Sequence, residues 1–144
     1  MALVVTQQVP TSSSMSVFHG PSGVATARRR LRAELADSGA AEAVIDDAAL
    51  ILSELLSNSW RHARPLPASQ EVRAAWSHDT DGAVTVAVTD GGGPTRPRPG
   101  SPSLTARGGR GLTIIGSLAR AWGVREAEAT GTVTVWAVLD GEDG

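Results

Sequence analysis

At 144 residues the chain has room for one domain around one core. Its 41% hydrophobic and 19% charged residues exclude the disordered and fibrous classes. A formal charge of −2 supplies no net attraction to nucleic acid, and the absence of cysteine removes disulfides, thiolate metal sites and cysteine nucleophiles together.

The elements are predicted in chain order. Residues 1–13 are polar, without a core-forming period, and are expected to be a flexible tail. The N-terminus also lacks the basic start and long apolar run of a signal peptide, and no later stretch is long and apolar enough to span a bilayer. The expectation is a cytoplasmic chain with no membrane partner. A single domain is expected over 14–140. Ser14 to His19 reads as a short strand. Gly20-Pro21-Ser22 then offers a turn and an N-cap for a helix, in which Val24, Ala27, Leu31 and Leu35 recur at three- and four-residue spacing until Gly39. Arg28, Arg29, Arg30 and Arg32 fall mostly off that stripe, as a solvated face does.

A second and longer helix is predicted from Ala41 to Ala63, carried by Val44, Ala48, Ile51, Leu52, Leu55 and Leu56 and stopped by Pro65. Glu71 to Ser77 and Ala83 to Thr89 read as a hairpin of two strands, the second rich in valine. Asp90 to Gly109 is crowded with glycine, proline, serine and arginine and is too long for an idle connection, so it is a candidate binding loop or lid. A helix over Gly111 to Ala121 and a closing hairpin, Gly123 to Ala129 with Thr132 to Leu139, complete the chain.

Three groups of residues bear on chemistry. Glu54 and Asn58 lie four apart on the second predicted helix, so one face presents a carboxylate and a carboxamide, a general base and a hard oxygen donor of the kind Mg²⁺ takes. Exposed helices produce this pair often, and alone it says little. Asp90 ends an apolar strand and is followed by Gly91-Gly92-Gly93, where missing side chains admit a flat ligand and the carboxylate can accept from an exocyclic amine; a plain Asp-Gly turn has the same wording. Gly108-Gly109-Arg110-Gly111-Leu112 opens the third predicted helix, whose free N–H groups suit phosphate as well as they suit a tight junction. The three histidines, His19, His62 and His78, lack a ligand-like spacing and are expected to be structural, and the four tryptophans are expected in or at the edge of the core.

The order of these groups resembles that of the GHKL (Bergerat-fold) ATPases, and most of all the bacterial anti-sigma-factor serine/threonine kinases. Ser53 to Ala63 resembles the N box, Val88 to Gly93 the G1 box and Gly109 to Ile115 the G2 box, while Thr132 to Leu139 is similar to the last strand. The resemblance implies a two-layer α/β sandwich, with a mixed, mostly antiparallel sheet and helices on one face. It implies ATP and Mg²⁺ as cofactors, with Glu54 as catalytic base and Asn58 on the metal. Asp90 would meet the adenine amine, Gly92 the ring, Gly108, Gly109, Arg110, Gly111 and Leu112 the phosphates, and Thr134 the adenine pocket. The implied partners are a sigma factor and an anti-sigma antagonist that is phosphorylated, with a homodimer as the assembly and no direct nucleic acid. Gly93-Pro94 departs from the spaced glycine of the G1 box, which leaves a catalytically silent binding module as the alternative.

Overall fold

The computed structural model describes residues 11–93 and 113–141. Strand β1 (Thr11–Phe18) leads into helix α1 (Pro21–Asp37) and helix α2 (Glu42–His62), followed by β2 (Glu71–His78), β3 (Val84–Asp90), a helical segment at residues 113–118, β4 (Ala121–Ala127) and β5 (Thr132–Leu139). The strands form one sheet in the order β1-β2-β3-β5-β4. All four pairings are antiparallel. The expected α/β sandwich is the fold found, with every described pairing antiparallel.

Alternation along the strands decides which face is covered. Val72, Ala74 and Trp76 of β2, Val84, Val86 and Val88 of β3, and Ala137 and Leu139 of β5 are buried, and they meet Leu31 and Leu35 of α1 and Ile51, Leu52, Leu55 and Leu56 of α2 in one core. The intervening residues, Ala75, Ser77, Thr85, Ala87 and Thr89, are half-buried, and no described helix covers that outer face. Each helix is amphipathic at helical spacing, so its position over the sheet follows from its apolar stripe.

Several boundaries differ from the sequence expectation for identifiable reasons. β1 starts at Thr11, inside the expected tail. Its Ser12, Ser14 and Ser16 are exposed, so no hydrophobic alternation announces it, and the strand is held by a full register against β2, from Thr11 opposite His78 to Phe18 opposite Glu71. α1 starts at Pro21, with Gly20 at the N-cap instead of Ser22; proline at the first helical position gives up an N–H that has no partner there anyway. β4 begins at Ala121, two residues earlier than expected, because the helical segment ends by residue 118 and Arg120 N–H already donates to Val138 O at 2.8 Å. Trp76 is core and Trp122 and Trp136 are half-buried, but Trp60 is 41% exposed on the outer side of α2, with the Arg61 guanidinium 6.0 Å from its ring centre.

Two polar groups are built into the core side of the sheet. His78 is buried, and its Nδ1 lies 2.6 Å from Ser38 Oγ. Because that hydroxyl donates to Leu35 O, Nδ1–H is the donor to Ser38, a structural role for a core histidine. Trp76 Nε1–H donates to Glu34 Oε1 at 3.0 Å; Ser13 Oγ–H donates to the same oxygen, and Arg30 Nε–H to Oε2 at 2.7 Å. A buried indole needs such an acceptor. Burial pushes the Glu34 carboxyl up, but the bonds from Ser13, Arg30 and Trp76 outweigh it and hold the group below the ordinary carboxylate value.

Candidate nucleotide site at the end of the third strand

The site forms where the C-terminal turn of α2 meets the end of β3. Two backbone bonds join them: Gly91 N–H donates to Arg64 O at 2.7 Å, and Arg64 N–H donates to Gly92 O at 2.8 Å. The approach is so close that a Cβ on Gly91 would stand 2.1 Å from Pro65 O, which no side chain survives. Gly92 has φ +80°, in the left-handed region that glycine enters freely, and a Cβ there would press on Gly131 O at 3.1 Å and on the Val133 side chain. Gly91 is therefore a packing requirement and Gly92 a conformational one. Together they leave a bare strip of backbone beside Asp90.

Asp90 is only 8% exposed, the one buried carboxylate among the described residues. Its Oδ1 accepts the Gly92 N–H at 2.8 Å. Burial drives the carboxyl above its ordinary value, opposed by the Gly92 N–H, by the Ser59 hydroxyl and by the charge of His19. The net result is a carboxyl whose desolvation is not fully offset by the protein, as expected where a ligand supplies the missing donor.

The N-box residues are brought to this point by α2. Glu54 and Asn58 are half-buried, one turn apart on the helix. Ser59, next in the chain, is 4% exposed and extends the buried stripe of Leu52, Leu55 and Leu56 toward Asp90. Its hydroxyl lies close enough to favour the charged carboxylate, yet no acceptor closes a full hydrogen bond with it. His19, at the junction of β1 and α1, donates from Nε2 to Ser59 O at 2.9 Å, the carbonyl that also receives the Ala63 N–H, and so pins the last turn of α2. Neither Ser59 nor His19 stands out in the sequence as a site residue. The usable signal was a lone serine on the apolar stripe of a buried helix.

The structure thus joins Asp90 and Gly92 to the chain leaving α2 at Arg64, with Asn58 and Glu54 half-buried further back along that helix. Thr134 is a correction. Strand alternation puts its neighbour Val133, directly opposite Asp90, on the covered face, so Thr134 lies on the outer face of the sheet, where its Oγ1 is 2.7 Å from Thr89 Oγ1. Gly108, Gly109, Arg110, Gly111 and Leu112, and most of the expected lid, lie outside the described residues. No cluster of three or more His, Asp or Glu able to hold a metal ion occurs among the described residues. A Mg²⁺ ion would have to be held by the Asn58 amide oxygen together with the ligand's own oxygens, as a hard cation that takes oxygen donors allows.

Comparison with known proteins bears on the family and the fold. The model of the histidine kinase-like ATPase domain matches residues 20–137, so the chain belongs to that family of ATPase domains, and ATP binding goes with membership. No curated protein matches the chain. Among solved structures, the crystal structure of the RsbU and RsbW domains of Rv1364c from Mycobacterium tuberculosis has the same fold, with a TM-score of 0.70 at 20% identity. The alignment covers 93% of this chain and 33% of that one, so the chain spans about a third of its length.

Proposed function

We propose that the chain is an ATP-dependent protein serine/threonine kinase of the anti-sigma-factor type, which binds a sigma factor and phosphorylates an anti-sigma antagonist. The observation that carries the reading is the junction just after α2, the helix that bears Glu54 and Asn58, where Arg64 exchanges backbone bonds with Gly91 and Gly92 beside the buried Asp90 carboxylate. The wording of the three boxes and the RsbW-containing neighbour point the same way.

In this reading Asp90 accepts from the adenine amino group, Gly92 admits the ring, and Asn58 offers its amide oxygen to Mg²⁺. ATP, when bound, supplies the phosphoryl group. Glu54 takes the proton of the serine or threonine hydroxyl as its oxygen bonds to the γ-phosphorus and the bond to the leaving ADP oxygen breaks. Positioning and charge neutralisation, rather than covalent chemistry, carry such a transfer. The homodimer and the cytoplasmic setting belong to the same proposal. No helix among the described residues is long and apolar enough to cross a membrane.

The test is transfer from Mg-ATP to purified candidate antagonists. Glu54→Ala is expected to lower the rate by about 100-fold or more while calorimetry shows ATP affinity unchanged within about twofold. Tight ATP binding by the native chain with no phosphoserine or phosphothreonine on any antagonist would establish the silent binding module instead.

A further inference from the structure

His19 belongs to none of the three boxes, yet it is held at its own backbone and reaches across to α2. Its backbone N–H donates to Gln70 O at 2.9 Å, and its Nε2–H donates at 2.9 Å to Ser59 O, 40 residues further along the chain. The turn that carries it has little freedom. Gly20 O accepts both the Gly23 and the Val24 N–H, and a Cβ on Gly23 would stand 2.0 Å from Phe18 O, so the start of α1 lies directly on the end of β1. A Cβ on Gly20 would come within 3.8 Å of Trp60 Nε1, which sets the same turn against the last turn of α2. Ser59 O already receives the Ala63 N–H at 2.9 Å, so the imidazole is not there to satisfy a lone carbonyl. It braces the turn from outside, at a helix end, where local opening is easiest.

Asn58 immediately precedes the braced carbonyl. Its half-buried carboxamide makes no hydrogen bond among the described residues, so no side-chain partner aims it and the backbone of that turn sets its direction. On the far side of the turn, Arg64 is fixed by its exchange with Gly91 and Gly92. The last turn of α2 is therefore held between two anchors, and His19 is the one beside Asn58. We propose that His19 is a positioning residue for the metal-bound phosphates: by holding Ser59 O it sets where the Asn58 amide oxygen meets Mg²⁺. The inference rests on the nucleotide reading above, in which Asn58 takes the ion. Such a brace acts on the metal arm of the ligand and not on the base, which the Asp90 turn receives from β3. It needs only an N–H donor at that reach, so a glutamine at residue 19 can replace the imidazole.

The experiment is calorimetric binding of ATP to the full chain, once with Mg²⁺ and once with EDTA, alongside amide hydrogen exchange at Ala63. His19→Ala should weaken Mg-ATP binding about tenfold, leave binding in EDTA within about twofold of native, and speed exchange at Ala63 about tenfold. His19→Gln, which keeps an N–H donor, should recover most of both losses. In an Asn58→Ala background, His19→Ala should change Mg-ATP affinity by less than about twofold, because the group it positions is gone. If His19→Ala fails to fold, His19→Met, which fills the space without donating, carries the test. Equal losses with Mg²⁺ and with EDTA, or a full loss that persists in the Asn58→Ala background, overturn the proposal and leave His19 a structural clamp. A native chain that binds ATP equally with and without Mg²⁺ overturns the Asn58 assignment and this proposal with it, whereas one that binds no ATP at all overturns the nucleotide reading itself.

Discussion

Glu34 and Asp90 are two carboxyl groups that the protein treats in opposite ways. Glu34 receives Ser13, Trp76 and Arg30, and it lies below its ordinary value. Asp90 is far better buried but receives one closed bond, from Gly92, and lies above its ordinary value. The first arrangement is complete within the chain and ties β1, α1 and β2 together. The second is left short of donors, which costs stability in the absence of a ligand and gains binding energy in its presence. In the proposed reading the pair separates a carboxyl used for folding from one used for binding.

The largest effect that sharpens this contrast is expected from Asp90→Asn. Loss of a hydrogen bond to a charged acceptor is worth about 1.5–3 kcal/mol, so ATP affinity should fall roughly 10- to 150-fold, measured by calorimetry. Stability should not fall with it. Because Asp90 is raised in the folded state, its contribution is fully present below the unfolded value and is lost as pH rises through the folded one. At neutral pH the charge is a penalty, and the amide removes it. A neutral-pH melting temperature that drops as sharply as the affinity would mean that Asp90 is structural after all.

Glu34→Gln is the reverse case, with a smaller effect. Nucleotide affinity should be unchanged, while stability at neutral pH falls by about 1 kcal/mol, a figure set low because the carboxylate is partly solvated. The sign follows from the lowered value: the stabilisation is present above the ordinary value of 4.5 and disappears as pH falls through the depressed one in the native chain. Urea titrations of native and variant should therefore converge in acid and separate above it. Separation that persists at low pH would show that the glutamate acts through packing and not through its charge.

What the sequence made legible follows the same division. The stripes of α1 and α2 and the valines of β3 stand out because apolar periodicity is itself the cause of their burial. The Glu54–Asn58 pair and the Asp90-Gly92 turn are singled out by family order alone, since a single carboxylate or glycine run carries no chemistry by itself. Ser59 and His19 were not found, because a buried serine and a histidine bonded to a backbone carbonyl depend on which elements meet, and only the fold brings residue 19 to residue 59. Thr134 was misplaced for a simpler reason: in a strand one residue of offset exchanges the two faces, and the box wording does not say whether Val133 or Thr134 is the one that faces Asp90. The serines of β1 hid only its first three residues, Thr11 to Ser13, as exposed polar alternation looks the same as a tail.

The smallest expected effect belongs to the charges that neither carboxyl involves. Arg32 and Asp46 join α1 to α2 at 2.6 Å, with side chains 45% and 58% exposed. At that exposure the desolvation of the pair is slight, and so is the gain: the coupling between Arg32→Ala and Asp46→Ala in a double-mutant cycle should be about 0.2–1 kcal/mol and should shrink in high salt. Geometry alone would rank this bond with those of Glu34, since the distances are nearly equal. A coupling well above that range would mean that solvent exposure is the wrong variable for dividing the carboxylates of this protein, and that the number of converging donors, one here against three at Glu34, does not set their contribution.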